Sequence, residues 1–178
     1  MNLFKKMASR QQNIAAHDIN FPLLAKLIHW LVAIGVVVNL WISQPESKLH
    51  ENVGFIIGFA VLLRIVLIGI LGGPKLTINP RIIWQDFRAI KNREKIHSRY
   101  TPLGGWMIWL LWVVLLLTVA TGYLGYEYGY DYDWAYALMG WHKTLAEILP
   151  YLIATHVVAV VFLSFWSKTH LVKRMIHR

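Results

Sequence analysis

The sequence predicts an all-α integral membrane protein, a four-helix bundle with both termini in the cytoplasm. Three observations carry this. Hydrophobic residues make up 57% of the 178, and charged residues only 15%, well under the roughly 25% usual for soluble domains. Four apolar stretches each approach the ~20 residues that a helix needs to cross a ~30 Å hydrocarbon core. Lys and Arg, finally, gather on alternate connections. The apolar runs are continuous and do not alternate, so they read as helices and not as barrel strands. A soluble bundle of buried helices is the alternative, and four uninterrupted spans leave it too little polar surface. At this length a single domain, residues 1–178, is expected.

The first span covers residues 23–43, with Lys26 near its start and His29 inside it. The second covers 53–73, preceded by His50 and carrying one charge, Arg64. The third covers 103–125. The fourth covers 144–166, preceded by His142 and containing Pro150 and His156. A proline there would bend the fourth helix. The N-terminal segment has no apolar core of signal-peptide length and is expected to be retained.

Charge distribution sets the orientation. The N-terminal segment with Lys26 holds four Lys and Arg, the connection from Lys75 to Arg99 holds seven, and the C-terminal segment holds four. The other two connections hold only Lys48 and Lys143. The basic segments are therefore cytoplasmic. The net charge of +9 is a topology signal, which removes nucleic acid as a partner. Cysteine is absent, which excludes disulfides, iron–sulfur clusters and covalently attached haem.

Four histidines form a pattern in depth. His142 and His156 are fourteen residues apart, about 21 Å at 1.5 Å per residue and almost four full turns, so they share one helix face. His50 stands at the outer surface. His29 lies fourteen residues before Ser43, where the first span exits, and is therefore at the inner level. The levels match as His50 with His142 outside and His29 with His156 inside. Two imidazoles from different helices at each of two levels are what two stacked bis-histidine haems require. Each histidine alone has a plainer reading, a hydrogen bond to a neighbouring helix or an interfacial side chain. Their agreement in depth is what favours ligation, and the separation of the levels excludes one shared ion. His17, His97, His170 and His177 lie in basic segments and read as solvated or interfacial.

Arg64 lies fourteen residues after His50, at the inner level. A charge there needs a partner, and a haem propionate would supply one; snorkelling to the surface is the alternative. Lys143 would serve the outer haem in the same way. Gly54 and Gly58 would let a porphyrin lie against the second helix, or would serve tight helix packing. The outer segment "YLGYEYGYDYDWAYALMGW" reads as an interfacial aromatic belt, and Glu127, Asp131 and Asp133 in it would also suit a basic partner.

The segments "LAKLIHWLVA", "HENVGFIIGFAVLLRIVL", "WHKTLAEILPYLIATHVVAVV" and "FWSKTHLVKRM" resemble the bacterial cytochrome b561 family, to which hydrogenase-type cytochrome b subunits are related. The likeness runs from about Phe21 onward. It implies a four-helix bundle holding two non-covalent haem b groups, with ligands from the first, second and fourth spans. These fall on His29, His50, His142 and His156. It further implies a multi-pass protein of the bacterial inner membrane, in contact with lipid, that exchanges electrons with the quinone pool. The other partner would be a periplasmic cytochrome or a dehydrogenase, and a homodimer is open. One rival is a superoxide:quinone oxidoreductase, against which the outer segments count with five acidic residues to two lysines. A second is a haem-bearing membrane anchor of a dehydrogenase or hydrogenase complex. A haem-free structural membrane protein is the third.

Overall fold

The computed structural model describes residues 23–71, 79–92 and 102–166. Every regular element among them is helical: α1 (Leu23–Val37), continued by a π-helical turn (Val38–Ile42), α2 (Lys48–Leu71), α3 (Pro80–Lys91), α4 (Pro102–Tyr128) and α5 (Asp133–Trp166). Four stretches are long and apolar enough to cross a membrane: Leu23–Ile42, Lys48–Ile68, Gly104–Tyr128 and Asp133–Trp166.

Local chemistry explains where these elements start and stop. The π turn ends at Ser43, whose extended backbone directs its N–H to the Val38 carbonyl at 2.8 Å. The chain then reverses over residues 44–47, with Ser47 N–H donating to the Gln44 carbonyl at 3.2 Å. Pro45 takes the second position of that turn and Glu46 the third, at φ 65°. Proline followed by a residue of positive φ is the type II pattern. Ser47 then caps α2, its Oγ accepting from the His50 N–H at 3.2 Å. Asn79 caps α3 by accepting the Arg81 N–H at 3.0 Å, and Pro80 begins that helix, where its missing N–H is no loss.

The backbone packs in the sequence α1 against α2, α2 against α4, and α4 against α5, the last pair most extensively. Small residues allow the close α4–α5 approach. A Cβ on Gly125 would meet Met139 Sδ at 2.8 Å and its backbone N at 3.1 Å. The buried core is Val36, Ile57, Val61, Val114, Leu115 and Leu149, drawn from all four spans.

This core stands midway along three parallel ladders. Val36 lies seven residues after His29 and seven before Ser43; Ile57 lies seven after His50 and seven before Arg64; Leu149 lies seven after His142 and seven before His156. Seven residues are nearly two α-helical turns, so each helical stretch carries polar, apolar and polar positions one above another.

Several boundaries differ from the expected ones. The second helix starts at Lys48 rather than 53, so His50 sits within its first turn. The third runs on to Tyr128 and the fourth starts at Asp133 rather than 144. The outer segment read as a loop is therefore mostly helix, with a reversal at residues 129–132. Its many tyrosines and acids obscured a helical hairpin that standing in water or at the interface requires to be polar. α5 continues through Pro150. In the connection read as a basic loop, α3 is a helix. His17, His97, His170 and His177 lie outside the described residues, as do the segments that flank the spans with most of the positive charge.

The two ends of the bundle differ in charge. α1 and α4 begin, and α2 and α5 finish, at what we term the basic end. The acidic end carries the α1–α2 and α4–α5 reversals, where Lys48 pairs with Glu51 at 2.8 Å.

Candidate haem site

At the acidic end, α2 and α5 bring His50 and His142 together. Their ring centres are 6.1 Å apart and their planes stand at 80°. Two metal–imidazole bonds of about 2 Å, end to end with the two ring radii, span roughly 6 Å. The pair is thus spaced for one metal ion between the two rings.

Each ring is held through its Nδ1. His142 Nδ1 lies 2.8 Å from the Thr118 carbonyl oxygen, and a carbonyl only accepts, so Nδ1 carries the proton. His50 Nδ1 lies 3.2 Å from Ser43 Oγ. That hydroxyl also reaches the Asn39 carbonyl and Oδ1, each at 3.3 Å, so with its own proton on Asn39 it offers His50 a lone pair. In both residues Nε2 is left for a metal, the arrangement by which outer partners fix the tautomer of a ligating histidine. The backbone of His50 is held as well, its carbonyl accepting from Asn39 Nδ2 at 3.0 Å.

Gly122 makes the His142 contact sterically possible. A Cβ there would stand 2.7 Å from His142 Nδ1 and 2.8 Å from Cε1. The imidazole occupies the room a side chain would fill and so reaches the carbonyl one turn earlier on α4. Ser43, Thr118 and Gly122 were not among the residues singled out in the sequence. The seven-residue step from Val36 to Ser43 was a signal for the first; a carbonyl and a missing methyl leave none for the others.

At the other level, His29 is exposed on α1 and His156 half-buried on α5. His156 and the half-buried Arg64 of α2 both lie within electrostatic reach of His29. Lys26, on the same face of α1 one turn before His29, is 8% exposed. The basic level therefore gathers two imidazoles and two cations from three helices. Lys143 is exposed at the acidic end. Gly58 faces Val119, which a Cβ would meet at 3.0 Å, and Gly54 faces Asn39 at 3.6 Å, so both serve helix packing. Among the described residues no group of three or more His, Asp or Glu gathers around one point. An axial pair within a porphyrin needs only two protein ligands.

A family model described as prokaryotic cytochrome b561 matches residues 20–178. The chain belongs to the prokaryotic cytochrome b561 family. Comparison with curated proteins and with solved structures found no match. Members of the cytochrome b561 family are membrane proteins that transfer electrons through haem b, and the four spans make this chain a multi-pass one. The His50–His142 spacing and the engagement of each ring through Nδ1 fit the axial coordination of such a group.

Proposed function

We propose that this cytochrome b561, as one domain, carries electrons across the bacterial inner membrane between the quinone pool and a redox partner. His50 and His142 would ligate one haem b and His29 and His156 a second, with Arg64 set to meet a propionate of the latter and Lys143 of the former. Bound between paired imidazoles, haem b supplies a one-electron iron couple with both axial positions filled. The observation that carries the reading is the His50–His142 pair, 6.1 Å between ring centres with each Nδ1 engaged elsewhere.

The chain's own residues do the rest. Ser43 and the Thr118 carbonyl hold the rings and raise their electron-donating power through Nδ1–H. The cations Lys26 and Arg64 offset carboxylate charge in a low-dielectric setting. The buried aliphatic layer separates the two levels. Glu127, Asp131 and Asp133 make the far end acidic, which suits a basic electron partner and repels a free anion such as superoxide.

Haem content per chain, by pyridine haemochrome on detergent-purified protein with each of the four histidines changed to alanine in turn, tests this. Two haem b per chain are expected. The His50→Ala and His142→Ala variants should lose the same haem, and the His29→Ala and His156→Ala variants the other. Full haem content in all four variants would sink the reading.

A further inference from the structure

α3 carries none of the proposed haem ligands, and its surface chemistry is specific. It lies at the basic end, packed on α4 and tied to the last residue of α5 by the Trp166 indole N–H, which donates to the Ile90 carbonyl. Both contacts fix it at the level where spans enter the membrane. Ile83 and Ile90 are half-buried against the bundle. Trp84 and Phe87, by contrast, are 62% and 54% exposed, and their rings stack at 6.2 Å with planes 17° apart. Arg88 and Lys91, also exposed, join the two rings and Asn92 in lining one open groove.

Aromatic faces beside two fixed cations select a ligand that is anionic at one end and apolar at the other. An interfacial amphipathic helix lies in the headgroup plane with its aromatic side chains among the acyl chains, and each Lys or Arg at that depth adds attraction for anionic headgroups. We infer that the groove formed by Trp84, Phe87, Arg88 and Lys91 is a binding site for the phosphate of an anionic phospholipid, whose acyl chains cover the two rings. The occupant follows from charge complementarity and from the anchoring of α3 to the membrane-entry ends of α4 and α5. A water-soluble phosphate would leave the stacked rings uncovered.

Full-length protein in detergent, titrated separately with phosphatidylglycerol and phosphatidylcholine and read by native mass spectrometry, tests the site. Wild-type protein should retain one phosphatidylglycerol in preference to phosphatidylcholine. The Arg88→Ala/Lys91→Ala variant should bind it roughly 30-fold more weakly, at unchanged helical content by circular dichroism. The charge-conserving Arg88→Lys/Lys91→Arg variant should keep the preference, which guards against misfolding of the alanine pair. Millimolar inorganic phosphate should leave the lipid in place. Equal retention of the two lipids by wild-type protein, unchanged binding by a folded alanine variant, or displacement by inorganic phosphate would each overturn the inference, the last by making the groove a free-anion site.

Discussion

A single hydrogen atom at Gly122 decides where the His142 ring can stand. Adding one methyl places carbon 2.7 Å from Nδ1, and overpacking of this kind costs about 1–3 kcal/mol. Gly122→Ala should therefore release the Thr118 carbonyl contact and lower haem content at the acidic level alone, which the haemochrome spectrum of the purified variant would show. Ser43→Ala is subtler. It removes the acceptor from His50 Nδ1 and makes that imidazole a poorer electron donor. The acidic-level haem should be held roughly tenfold less firmly, and its potential should rise, as read by redox titration; a potential unchanged from wild type would count against the hydroxyl's role. The four histidines stood out in the sequence because two lie in apolar spans and all four agree in depth through fourteen-residue spacings. Ser43 was marked only by its seven-residue step from Val36, and Gly122, which acts once α4 meets α5, by nothing local.

Among the elements, the π turn at Val38–Ile42 does the positioning at the α1–α2 corner. π turns frequently occur at functional sites, and this one delivers Asn39 and Ser43 to His50. Asn39→Ala removes the donor to the His50 carbonyl at 3.0 Å and one of the two acceptors of the Ser43 hydroxyl, Oδ1, leaving the backbone carbonyl. A loss of about 1 kcal/mol per bond is expected, visible as a lower thermal midpoint of the haem absorbance. The apolar spans were legible by length and continuity. Their ends were less so, because residues 126–128 and 133–136 are polar and aromatic while still helical, and composition separates lipid from water better than helix from loop. α3 was hidden for a related reason: its basic residues were read as topology marks, and they equally edge an amphipathic helix. Trp166→Phe should unfasten α3 from α5, leaving haem content intact while amide hydrogen exchange in residues 80–91 accelerates.

For the whole molecule, orientation is the property the charges predict and the fold alone leaves to experiment. The sequence contains no cysteine, so single introduced thiols report cleanly. Tyr130, 97% exposed at the acidic end, and Arg81, exposed on α3, suit this. Tyr130→Cys should react with a membrane-impermeant maleimide added to intact spheroplasts, and Arg81→Cys only after lysis; the reverse result would invert the proposed topology. Val36, Ile57 and Leu149 gain a further meaning at this scale. A hydrated proton crosses a protein along a thread of polar partners, and the layer midway between the two histidine levels offers only methyl groups. On the proposed reading the bundle would be an electrical septum, passing electrons and stopping ions. Charge crossing the ~21 Å between levels would do so uncompensated and would couple to the membrane voltage, at up to about 2.3 kcal/mol per 100 mV for a full crossing, the sign set by the direction of flow. In sealed proteoliposomes, turnover should build a potential. Leu149→Asn, by wetting the septum, should let that potential leak away.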